Sequence, residues 1–194
     1  MRGTSCAAHS GSMHVQLCPP SSKRSSACHQ SIVVHRARHR ADWQAADELV
    51  AEYLDWLDES LGPVIVRKAG IGRADRLGVS TTFAAPSQFY VAWLGGEPVG
   101  CAGVRIIGSD AELTRMYVTP RARGIGVSDE LARAAIAGVK EAGHAYLRLD
   151  THRPTMPVAY DLYRRLGFEE RRGNPDIDGA VAMVLPLGVH ADVS

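Results

Sequence analysis

The chain has 194 residues, a length that suits one domain with a sizeable core rather than two. With 45% hydrophobic and 22% charged residues and a net charge of +1, it has no global pull toward nucleic acid or an anionic membrane. No apolar run reaches the length of a membrane span, so the expectation is a soluble, cytoplasmic protein without a nucleic-acid or membrane partner.

Residues 1–30 are rich in serine and small residues, include Pro19-Pro20 and show no periodicity, which reads as a disordered tail. Nothing before Asp42 is acidic, whereas Arg2, Lys23, Arg24, Arg36, Arg38 and Arg40 are basic. An organellar transit peptide shares that bias, although no amphipathic stripe supports one here. Cys6, Cys18 and Cys28 fall in this segment with His9, His14 and His29, at spacings that match no zinc pattern, so no metal site is expected. Cys101 alone lies in the part expected to fold, which suits a reducing compartment without disulfides.

From residue 31 the patterning becomes regular. Ser31 to Ala37 is rich in β-branched residues and reads as a first strand. Asp42 can cap the helix that follows, in which Ala46, Leu49, Val50, Tyr53 and Leu57 recur at helical spacing to about Leu61. Tyr53 belongs to the packing face, and Trp56 falls beside it, where it could edge a substrate pocket. Residues 62–87 carry Gly62, Pro63, Gly70, Gly72, Gly78 and Pro86, with Arg67, Lys68, Arg73 and Arg76 against the single acid Asp75. Such a segment is either a loose connection or a substrate lid, and its basic excess would suit an acceptor bearing a carboxylate or phosphate. Gln88–Leu94 and Glu97–Ile107 flank Gly95-Gly96 and read as a hairpin.

A strand-like run to Val118 follows, on which period two places Glu112, Thr114, Met116 and Val118 on one face. Next come a basic turn, residues 119–126, and a helix pattern from Val127 to Ala142 with Val127, Leu131, Ala134, Ala135, Val139 and Ala142 on one side. Strand, glycine turn and helix in this order aim several backbone N–H groups at one point, a natural seat for a phosphate. Arg121 and Arg123 bring further positive charge to that turn. A Walker A loop is excluded because Val127-Ser128 follows Gly126, and the dinucleotide fingerprint because Asp129 stands where its third glycine is needed. Ala145, Leu147 and Leu149 alternate as a strand, Val158 to Leu166 reads as a short helix ended by Gly167, and Ala180 to Leu187 closes the sheet. The order implies an α/β domain on a largely antiparallel sheet.

Arg121-Ala122-Arg123-Gly124-Ile125-Gly126 resembles the acyl-CoA pyrophosphate loop of the GCN5-related N-acetyltransferases, the GNAT family. Three further segments in the same order extend the resemblance over roughly residues 31–187: Glu112 to Val118, Leu147-Arg148-Leu149-Asp150-Thr151, and Ala159 to Phe168. The resemblance implies the GNAT acyl-CoA fold, a mixed, largely antiparallel central sheet flanked by helices, with splayed central strands. It makes residues 31–194 a single N-acetyltransferase domain using acetyl-CoA (coenzyme A). The implied reaction moves an acetyl group to an amine of a small molecule, amino acid or peptide by direct attack in a ternary complex. Main-chain groups at Met116, Tyr117 and Val118 would pair with the pantetheine amides like an added strand, with the Val118 N–H facing the oxyanion. Arg121, Arg123, Gly124, Ile125, Gly126, Val127 and Ser128 would wrap the pyrophosphate.

Glu112 stands six residues before Val118, where the family often places a general base, and Tyr163 matches the tyrosine that acts as general acid toward the thiolate. The plainer alternatives are a strand glutamate paired with Arg115 or Arg148, and a core aromatic. Met156 replaces an asparagine that many relatives carry seven residues before that tyrosine; this combination resembles an uncharacterised bacterial single-domain subgroup and puts one cofactor hydrogen bond in question. His144 and His152 are alternative bases that stand behind Glu112. A non-catalytic acyl-CoA-binding sensor or scaffold is the rival class. A homodimer and the identity of the acceptor stay open, the latter set by residues 56–90 and 171–180.

Overall fold

The computed structural model describes residues 31–68 and 78–188. The expectations for residues 1–30, tail, transit peptide and cysteine scatter alike, lie outside the described residues, as do Gly70, Gly72, Arg73, Asp75 and Arg76 of the expected lid.

Among the described residues one sheet runs in the spatial order β1 (Ile32–Arg36), β2 (Gln88–Leu94), β3 (Glu97–Ile107), β4 (Asp110–Val118), β5 (Tyr146–His152), β7 (Ala180–Pro186), β6 (Glu169–Arg172). Neighbours are antiparallel except β4 and β5. The β2–β3 hairpin has the expected bounds because Gly95 and Gly96, at φ 61° and 88°, supply the two positive-φ positions that a tight hairpin turn requires. The helices are α1 (Arg40–Leu61), α2 (Pro63–Lys68), α3 (Val79–Thr82), α4 (Val127–Glu141) and α5 (Pro157–Arg165). No helix among the described residues is long and apolar enough to cross a membrane.

Each face of the sheet carries its own core. On one side the α1 stripe of Ala46, Leu49, Val50, Tyr53 and Leu57 packs on Phe89, Val91, Cys101 and Tyr117. On the other, Val127, Leu131, Ala135 and Val139 of α4, with Leu162 and Tyr163 of α5, pack on Val104, Leu113, Leu147 and Met183. Helix α1 begins two residues ahead of the expected cap. Asp42 serves instead from inside the first turn, its carboxylate accepting the N–H groups of Arg38 and His39 at 3.0 and 2.9 Å and contacting the His35 ring at 2.9 Å. Burial alone would raise the pKa of Asp42, but these partners outweigh it and pull the group down to about 2.

One irregularity corrects the expected face of β4. Cys101 opposes Tyr117 and Gly103 opposes Thr114, so Arg115 and Met116 together face Ala102 in a bulge, with Arg115 at φ 54°. The extra residue reverses the alternation. Leu113 lies in the α4 core and Tyr117 in the α1 core, while Met116 and Val118 pack against the α4 side. Glu112 and Thr114 therefore do not share a face with Met116 and Val118. Strand β6 was not anticipated either: Glu169–Arg172 is wholly exposed and charged, and only its pairing with β7 makes it a strand.

The central feature is the parting of β4 from β5. They pair only at Ala111–Leu147 and Glu112–Arg148. Beyond Glu112 the β5-facing edge of β4 has no ladder, and β5 continues paired with β7 alone.

Candidate active site

The gap between β4 and β5 opens into a cleft walled by Glu112 to Met116 and Asp150 to His152, with Tyr53, Lys68, Met156 and Tyr163 closing its sides. At the C-terminal end of β4 the chain makes a 3-10 turn, Pro120–Ala122, and enters α4 through two left-handed glycines, Gly124 at φ 77° and Gly126 at φ 93°. A Cβ built on either glycine meets nothing within 4 Å, so the concave side of the turn is open space. Gly126 is the N-cap of α4 and brings no side-chain cap, which leaves the first N–H groups of the helix for an external acceptor.

Gly124 and Gly126 thus stand where the sequence placed the phosphate, while Ile125 between them is half-exposed. The two arginines are engaged otherwise than expected. Arg121 Nη2 donates to the Pro98 carbonyl and Arg123 Nε to the Val118 carbonyl, each at 3.1 Å, so both guanidinium groups brace the turn. An uncapped helix start, a glycine turn with open space before it and an unpaired strand edge leading away fit a diphosphate carrying an amide-bearing arm, as coenzyme A does.

The other end of the cleft is made of side chains. Glu112 receives Arg105 Nη2 on both oxygens, at 3.0 and 2.9 Å, with Arg148 at 4.0 Å. Its principal partner is thus the residue opposite on β3, not Arg115 or the more distant Arg148. Arg115 Nη1 donates to the Thr114 hydroxyl at 2.9 Å. Tyr163 is 5% exposed, its ring tilted against Phe168, and its hydroxyl has no hydrogen-bond partner among the described residues. Burial first, and the neighbouring Tyr53 second, hold its pKa above the ordinary 10.0, so the phenol keeps its proton at neutral pH.

Of the aromatic residues on α1, Tyr53 lines the cleft and Trp56 does not; Trp56 stacks on Tyr53 with ring centres 6.4 Å apart. Met156 is at the cleft wall, where its sulfur accepts the Thr151 hydroxyl at 3.9 Å. His144 bonds the Ser109 carbonyl and is not among the cleft residues. His152 lines the cleft with both ring nitrogens engaged, by Thr155 at 2.9 Å and the Asp178 carbonyl at 2.8 Å. Sequence reasoning passed over Asp150, which lines the same cleft. Partial burial raises its pKa, the Glu112 charge adds to that, and Arg148 opposes it. The signal was available only through register, because the Glu112–Arg148 pairing puts Arg148, Asp150 and His152 on the Glu112 face.

Comparison with known proteins gives this geometry relatives. The profile of the Acetyltransferase (GNAT) family matches residues 43–168. The GCN5-like protein acetyltransferase Rv2170 of Mycobacterium tuberculosis is 28% identical over 160 residues, 76% of this chain and 77% of that protein. The uncharacterized N-acetyltransferase YjgM of Escherichia coli is 35% identical over 85 residues, 42% of this chain and 50% of its own length. Among solved structures, the PaiA N-acetyltransferase of Thermoplasma acidophilum in complex with coenzyme A superposes with a TM-score of 0.62 at 21% identity, over 80% of this chain and 99% of that one. A GNAT acetyltransferase of Staphylococcus aureus gives 0.63 at 19% identity, over 81% and 99%. These structures share the fold. The family match runs through the cleft strand, the glycine turn and the Tyr163 helix, and the chain therefore belongs to the GNAT family of acetyltransferases, enzymes that use acetyl-CoA.

Proposed function

We propose that residues 31–194 work as one domain that transfers an acetyl group from acetyl-CoA to an amine of a small molecule, an amino acid or a peptide, by direct attack in a ternary complex. The observation that carries this reading is the parting of β4 from β5, which leaves an unpaired main-chain edge on β4 and opens a cleft lined by Glu112 and Asp150. When bound, acetyl-CoA supplies an activated thioester. Main-chain groups of Met116, Tyr117 and Val118 hold its arm as an added strand, and the N–H groups of Arg123 to Ser128 hold the diphosphate, with Arg121 bracing the turn. In this reading the Val118 N–H stabilises the oxyanion. Tyr163, a phenol that keeps its proton, donates it to the departing sulfur. The carboxylate wall headed by Glu112 receives the incoming ammonium and takes its proton.

Calorimetry with coenzyme A, followed by thiol release across amines, amino acids and peptides, tests the reading. Peptides belong in the panel because one relative is named a protein acetyltransferase. Binding with release is expected. Binding with no release across the panel would favour the non-catalytic sensor, and absence of heat would end both.

A further inference from the structure

The two carboxylates of the acceptor end keep different company. Glu112 is 15% exposed and clamped on both oxygens by Arg105, with Arg148 behind it. Both of its oxygens are thus already occupied as hydrogen-bond acceptors by a guanidinium group. His152 has no free ring nitrogen, since Thr155 and the Asp178 carbonyl occupy both. Asp150 stands between them on the same face of β5, solvent-accessible at the cleft wall, and among the described residues no side chain donates a hydrogen bond or ion pair to it.

We propose that Asp150, rather than Glu112, is the group that removes the proton from the acceptor ammonium, and that Glu112 is a fixed anion that positions the cation. The inference rests on the transfer reading above. One N–H bond of the ammonium breaks, its electron pair stays on nitrogen, and the proton joins an Asp150 oxygen before leaving to water through the cleft mouth. The charged groups facing Asp150 are Glu112, which favours the proton, and Arg148, which opposes it. Arg105 is neutralised by Glu112, Lys68 is turned to the Asp176 carbonyl at 3.1 Å, Arg115 is bonded to Thr114, His152 is held between Thr155 and the Asp178 carbonyl, and Tyr53 and Tyr163 complete the titratable set of the cleft. Partial burial and the Glu112 charge both shift Asp150 upward, toward the range useful to a base.

The test compares Asp150→Asn, Asp150→Glu and Glu112→Gln on two acceptors, Nα-acetyl-lysine amide and alaninamide, whose amines have ordinary pKa values of about 10.4 and about 8. Asp150→Asn should lower kcat/KM by about 100-fold on the lysine compound and by less on alaninamide, whose amine is more often neutral already. It should abolish the acidic limb of the pH profile and leave the heat of coenzyme A binding unchanged, while Asp150→Glu restores part of the rate. Independently, a carboxyl-carbon NMR titration of the free protein should show Asp150 ionising above the ordinary aspartate range. An acidic limb that survives Asp150→Asn and disappears in Glu112→Gln, or an Asp150 carbon titrating in the ordinary range, would overturn the assignment and leave the transfer reading standing. Wild-type protein that binds coenzyme A yet releases thiol with no amine would remove both together.

Discussion

At the end proposed above for the donor, the protein presents main chain: the open edge of β4 from Leu113 to Val118 and the uncapped N–H groups of α4 behind Gly124 and Gly126. At the end proposed for the acceptor it presents side chains, with Glu112 clamped by Arg105, Asp150 left open, and Lys68 reaching across to the 174–177 loop. Main-chain recognition depends on backbone shape, so it should tolerate side-chain change and fail when a φ angle is lost. Side-chain recognition should do the reverse. On the transfer reading, the contrast lets one scaffold keep a constant donor while its acceptor varies.

Four substitutions would break or sharpen that contrast. Gly126→Val strains a residue at φ 93° by about 1–2 kcal/mol and puts methyl groups into the open space before the turn, so coenzyme A affinity should fall by about 100-fold or more in calorimetry. An affinity within threefold of wild type would remove the turn from donor binding. Tyr163→Phe should lower turnover by about tenfold or more with the coenzyme A heat nearly unchanged, since its hydroxyl holds no other group in place. Unaltered thiol release would take Tyr163 out of the mechanism. Arg123→Ala, which removes a brace rather than a main-chain donor, should weaken coenzyme A by only about two- to fivefold. A hundredfold loss there would mean that the guanidinium turns to the phosphate after all.

The smallest effect on the cleft is expected from Asp42→Asn, remote at the start of α1. Folding lowers the Asp42 pKa from an ordinary 3.8 to about 2, so its stabilisation, on the order of 2 kcal/mol, is complete above pH 3.8 and is lost as the pH falls through about 2. Urea unfolding should show the variant less stable by up to that amount at pH 7, with the gap closing in acid and coenzyme A binding untouched. A gap that persists at pH 2 would assign the cost to packing instead of charge.

What the sequence revealed divides along similar lines. The hairpin and the glycine turn before α4 were legible because glycine announces positive φ, and Gly95, Gly96, Gly124 and Gly126 all adopt it. The bulge was not, because the residue that bends is Arg115, and nothing in an arginine marks a left-handed backbone. That single position misplaced Met116 and Val118 relative to Glu112. Strand β6 escaped notice because Glu-Glu-Arg-Arg has no apolar alternation for an edge strand to display. Tyr53 packs as expected but also lines the cleft, while Trp56 does not, because helical spacing tells which residues share a face, not which part of the sheet beneath them opens. Asp150 required the pairing of β4 with β5, a contact between segments far apart in sequence. Glu112 was found at the cleft, but its tie to Arg105 runs across a strand pair whose register the bulge resets.

The extra residue in β4 has a consequence for how such a protein diversifies. Because Arg115 and Met116 fall between Glu112 and Thr114, proposed above for the acceptor, and Val118, proposed for the donor, the kink separates the two proposed tasks of the strand. On the transfer reading, β4 can then change Glu112 or Thr114 without disturbing the main-chain edge that would hold the donor.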